Sequence, residues 1–109
     1  MEINHELVDV PDALKRIGGS MDLYKRLLGQ FTGGDHINPL EEALATSSDE
    51  ASHLIHTLKG VAANLSLKKL SSAASDLEHK VKDGLDHSNA LAELKHIYFE
   101  TSQEIAKIS

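Results

Sequence analysis

Apolar residues in this chain recur at three- and four-residue spacings, with polar residues between them, which is the period of an α-helix. Leu23, Tyr24, Leu27, Leu28 and Phe31 make one stripe, and Leu40, Ala43 and Leu44 make a shorter one. At about 100° per residue, Leu54, Leu58, Val61, Ala62 and Leu65 fall together, with Ala51 and Ile55 at the edge. A fourth stripe holds Leu70, Ala73, Ala74, Leu77 and Val81. The last holds Leu91, Leu94, Ile97, Tyr98, Ile105 and Ile108.

Turn and cap residues punctuate these stripes. Residues 1–9 read as an irregular lead-in, and 11–17 as a short helix with proline in its first turn, stopped by Gly18 and Gly19. Ser20 is placed to cap the next helix. The clearest break is 33–37, after which Asn38 reads as an N-cap, Pro39 as the first helical residue and Glu41 as a capping-box carboxylate. Ser47, Ser48 and Asp49 form a turn and cap for a helix over about 50–64. Leu65 and Ser66 make a tight connection to a helix from about Leu67 that ends at Gly84, and Ser88 reads as the cap of the last helix.

Short connections between apolar helical stripes predict an all-α fold: an antiparallel four-helix bundle with a short N-terminal helix across one end. At 109 residues the chain has the size of one domain, taken here as 1–109. A net charge of −6 argues against nucleic acid and against an anionic membrane surface, since both call for basic patches. The chain has no cysteine, which excludes disulfides, thiolate nucleophiles and thiolate metal sites. No apolar run approaches membrane-spanning length and no secretory signal is apparent, so the expected location is cytoplasmic.

One residue stands out. His56 points roughly 160° from the centre of its helix's apolar stripe, near the middle of the solvent face. Lys59 follows at i+3, Gly60 at i+4 and Ala63 at i+7, so the row beside the ring carries little side chain. A glycine inside an exposed helix costs about 1 kcal/mol relative to alanine, and core packing does not account for this one. What it provides is access to the imidazole. A neutral imidazole has a nucleophilic ring nitrogen, and Lys59 is placed to neutralise an arriving phosphoryl group. Glu78 and His56 lie at comparable distances from the Leu65–Ser66 hairpin, so the Glu78 carboxylate could fix the ring tautomer.

His56-Thr57-Leu58-Lys59-Gly60, with Ala62-Ala63-Asn64-Leu65 and later Leu77-Glu78, resembles the histidine-containing phosphotransfer (HPt) domain family of multistep phosphorelays. Ile17-Gly18-Gly19, Asp22-Leu23-Tyr24, Leu27-Leu28 and Phe31 also resemble the start of such a domain. The resemblance implies that His56 is phosphorylated, by analogy at Nε2, and passes the group between aspartates of response-regulator receiver domains. A hybrid histidine kinase would be the upstream partner, the Mg²⁺ assisting transfer would belong to the receiver, and the carrier would have no kinase activity of its own. It maps Lys59 and Gly60 as phosphate-supporting, Glu78 as imidazole-orienting, where members carry glutamine or glutamate, and Lys82 as an accessory cation. The 33–39 stretch departs from the family's continuous second helix, and Ser66 stands where glycine is common.

Other readings stand beside this one. A helical interaction module would bind a partner without chemistry, and Glu78 gives the site a likeness to the phosphoacceptor domain of chemotaxis kinases. His53 and His56 at i, i+3 are too few for a metal site without Glu78 or His79, so no metal is expected. His5, His36, His87 and His96 read as solvated. Ile17, Met21 and Ala63 are candidates for a receiver-docking patch. The expected carrier is a monomer, and the opening Met1 favours a free-standing protein over a domain of a hybrid kinase.

Overall fold

The computed structural model describes residues 3–108. Six helices follow one another: α1 (Val10–Arg16), α2 (Met21–Thr32), α3 (Asn38–Thr46), α4 (Ser48–Asn64), α5 (Lys68–Lys82) and α6 (Ser88–Ile108). There is no strand among the described residues, as the periodicity predicts. Met1 and Glu2 of the lead-in lie outside the described residues. The rest of that lead-in is irregular, yet Leu7 and Val8 are buried in the core. Two adjacent apolar residues have no helical period to reveal them, so only the docked chain shows that they belong inside.

Helix ends follow local chemistry with two corrections. Ser20 Oγ accepts from Leu23 N–H at 3.1 Å and Ser47 Oγ from Glu50 N–H at 3.3 Å, as N-caps do. Asn38 is not the cap of α3: Ile37 holds that position and its carbonyl accepts from Glu41 N–H. The side-chain oxygens come from Asp35, whose Oδ1 takes the N–H groups of Ile37 and Asn38, both at 3.1 Å. Asn38 Nδ2 donates to the other Asp35 oxygen at 2.8 Å. Likewise Ser88 is the first residue of α6, and the His87 carbonyl accepts the first helical bond, from Leu91.

The break at 33–37 separates α2 and α3 into two helices. His36 packs here and is not simply solvated. Its ring stacks on Phe31 (centroids 4.6 Å apart, 18° between planes) and meets Tyr98 edge-on, while Nε2 lies 3.0 Å from the Phe31 carbonyl. These contacts hold the loop against the bundle.

Helices α4 and α5 are neighbours across a short connection. Helix α5 also packs on α6, α3 packs on α4, and α1 and α6 touch α2. One core joins them, with Val8, Leu28, Leu40, Ile55, Leu70 and Leu94 among its fully enclosed side chains. On α4 the buried set is Ala51, Ile55, Leu58 and Ala62, followed by Leu65 past its end, whereas Leu54 and Val61 are only partly covered. The buried face is therefore turned about 40° from the one expected, toward Ala51 and Ile55.

The short N-terminal helix lies at the bundle end that carries the α4–α5 connection. Asp9 N–H donates to the Ser66 carbonyl at 3.0 Å, Ser66 Oγ donates to Asp12 Oδ2 at 2.7 Å, and Lys68 pairs with Asp9 at 2.7 Å. Ser66 takes φ 59°, the left-handed conformation that favours glycine, and its buried hydroxyl bond to Asp12 offsets the strain. From α2, Tyr24 Oη donates to the Leu65 carbonyl at 2.7 Å, and burial pushes this phenol up to about 12. Two other helices thus fix the turn that follows α4.

Candidate functional site

Helix α4 runs unbroken from Ser48 to Asn64 and carries His56 near its middle. The His56 side chain is 66% exposed. Along its row, Gly60 leaves open space, since a methyl group there would meet no atom within 4 Å, and Ala63 is exposed. The ring and its neighbours make a shallow, accessible strip.

Beneath the strip lies a charge. Glu78 on α5 is only 5% exposed, although nothing in its local sequence separates it from a solvated carboxylate. Its burial follows from register: Ala74, Leu77 and Val81 turn α5 into the core, and Glu78, next to Leu77, faces α4 at the edge of that contact. Burying a carboxylate is costly unless it is paired and hydrogen-bonded. Three groups meet this one. Lys59 Nζ donates to Oε1 at 2.8 Å, His56 Nδ1 lies 3.0 Å from Oε2, and Lys82 Nζ is 3.4 Å from the same Oε2.

The hydrogen bond from Lys59 holds the Glu78 carboxyl below its ordinary value, against the desolvation that would raise it, and the charges of Lys59 and Lys82 add to the lowering. A carboxylate only accepts hydrogen bonds, so the proton between the pair sits on His56 Nδ1. That fixes the tautomer and leaves the Nε2 lone pair directed away from Glu78. Ser71 Oγ on α5 donates to the Lys59 carbonyl at 3.3 Å and ties the two helices together one turn further on.

The structure thus brings His56, Lys59, Glu78 and Lys82 into one cluster, with Gly60 beside it. Comparison with protein-family models matches residues 30–106 to the Hpt domain. The chain belongs to the Hpt domain family. Hpt domains carry a phosphoryl group on histidine in two-component signalling and interact with the kinases and receiver domains of those systems. Comparison with curated proteins and with solved structures found no match.

In this Hpt chain the suggested docking residues have different surroundings. Ile17 lines an apolar groove with Leu27, Phe31, Val61 and Leu65, whereas Ala63 lines a polar depression with Lys59, Arg16 and Lys68. Met21 is half-buried against the core. Sequence reasoning also missed Asp12 and Ser66, which fix the α4–α5 connection, and Ser71, which ties α5 to α4 at Lys59. The only trace of these long-range bonds in the sequence is a serine where the family carries glycine. No group of three or more His, Asp or Glu among the described residues is arranged to hold a metal ion. No helix among them is long and apolar enough to cross a membrane.

Proposed function

We propose that residues 1–109 act as one phosphocarrier domain in a multistep phosphorelay, with His56 taking the phosphoryl group on Nε2. The observation that supports this most directly is the exposed His56 ring held through Nδ1 by buried Glu78. The donor is a phospho-aspartate of a receiver domain, itself charged by a hybrid histidine kinase. The Nε2 lone pair forms the new N–P bond, the aspartyl O–P bond breaks, and its electron pair leaves on the carboxylate. A second receiver's aspartate reverses these steps. Gly60 and Ala63 leave room for the receiver's loops to approach the ring.

Lys59 contributes through position. An ammonium has three donors, and Glu78 engages one in the resting state, so the others remain for phosphoryl oxygens. The receiver supplies the Mg²⁺ that assists transfer. On this reading the protein acts as a cytoplasmic monomer without kinase activity of its own.

The test is direct. Incubated with a labelled phospho-receiver, the protein should acquire acid-labile, base-stable label, and His56→Gln should acquire none. Label retained in His56→Gln would refute the assignment. Receiver binding without label in the parent protein would instead mark an interaction module.

A further inference from the structure

Oε2 of Glu78 serves two partners at once. It accepts from His56 Nδ1 at 3.0 Å and pairs with Lys82 Nζ at 3.4 Å, while Lys59 occupies Oε1. Lys82 follows Glu78 by one turn of α5, its side chain is 59% exposed, and it has no other ion pair among the described contacts. It therefore shares one carboxylate oxygen with the imidazole, and its positive charge lowers that oxygen's pull on a proton.

The chemistry of the phosphorylated ring gives this sharing a consequence. After attack by Nε2 the ring carries a proton on Nδ1 and a positive charge. When the phosphoryl group departs, the N–P bond breaks and its electron pair returns to Nε2. A new P–O bond forms to an aspartate, or to water, which then loses a proton to solvent. If Nδ1 has kept its proton, the leaving group is a neutral imidazole. If the proton has been lost, the leaving group is an imidazolate, which departs far less readily. Retention of the Nδ1 proton thus controls how labile the N–P bond is.

We propose that Lys82 is a positioning residue that lengthens the lifetime of the phosphorylated state by weakening the hold of Glu78 Oε2 on the His56 Nδ1 proton. The proposal rests on His56 as the acceptor. Glu78 and Lys82 then act in opposition: the carboxylate promotes release of the phosphoryl group, and the ammonium restrains it. Lys59 is the poorer probe, because its ammonium also stands where phosphoryl oxygens arrive.

The experiment uses phosphoramidate, a small phosphoryl donor that needs no partner protein. After the donor is removed, loss of label from His56 is followed at one fixed pH, with His56→Gln as the control for the other histidines. In Lys82→Met the label should disappear about two- to fivefold faster, the range set by an ion pair whose cation is largely in solvent. In Glu78→Gln it should disappear about tenfold more slowly, and Lys82→Arg should behave as the parent. A merely structural role would move Lys82→Met and Glu78→Gln in the same direction. An unchanged or slower rate in Lys82→Met overturns the proposal. Absence of label on His56 in the parent protein would overturn the acceptor assignment beneath it.

Discussion

Lys59 Nζ stands 2.8 Å from Glu78 Oε1, so the cation beside His56 is already paired with a buried carboxylate. This bond links the stability of the α4–α5 contact to the chemistry on its surface. Replacing Lys59 with methionine removes the nearest counter-charge from Glu78. Unfolding in urea should show a loss of about 1–3 kcal/mol, the cost of leaving a buried charged group short of a partner. Lys59→Met with Glu78→Gln should cost less than the two single changes added together, because the pair is coupled. Simple additivity would mean that the pair contributes nothing jointly.

Gly60 separates fold from access. Nothing surrounds its missing side chain, so Gly60→Ala should stabilise the protein by about 0.5–1 kcal/mol through helix propensity. Gly60→Leu should also fold, as thermal melting would show. It should slow phosphoryl exchange with a receiver by about tenfold or more, because the leucine would stand in the row beside the ring. Exchange at the parental rate in Gly60→Leu would remove the access argument.

Acid should unlock the site. The folded-state value of Glu78 lies below its ordinary 4.5, so its contribution is present in full above the unfolded value. That contribution is lost as pH falls through the lower, folded value. Carbon-detected NMR should therefore show the Glu78 carboxyl titrating below pH 4.5. Between neutral pH and about pH 3 the parent should lose more stability than Glu78→Gln, since the amide has no proton to gain.

Asp35 holds the start of α3. Asp35→Ala should cost about 1 kcal/mol, typical of a lost cap, and should speed hydrogen exchange at Ile37 and Asn38, the two N–H groups it accepts from. Asn38→Ala removes one side-chain donor to Asp35 and should cost less. The reverse order would restore Asn38 as the capping residue.

The helical stripes were legible because burial repeats with the helix period. All five inward residues expected on α5, Leu70 to Val81, are buried. The α4 face is less legible: Ala51 and Ile55, expected at its edge, are fully buried, and an alanine carries a weaker apolar signal than a leucine. The caps show a similar split. Ser20 and Ser47 bond three residues ahead, whereas Asp35 reaches past the cap position from inside a loop. His36 was misread because its partners, Phe31 and Tyr98, meet only when the loop folds back.

The sequence by itself determined the helical class, the breaks between helices and the outward direction of His56. Those depend on the helix period and on local hydrogen bonding. Only the tertiary structure decided that Glu78 is buried, that its two oxygens are shared among His56, Lys59 and Lys82, and that the turn at Ser66 is fixed by α1 and α2. These depend on the register of α5 against α4 and on bonds between residues 12 and 66 or 24 and 65, far apart in the chain. Local sequence cannot encode such distances, because they exist only once the apolar faces have been packed together.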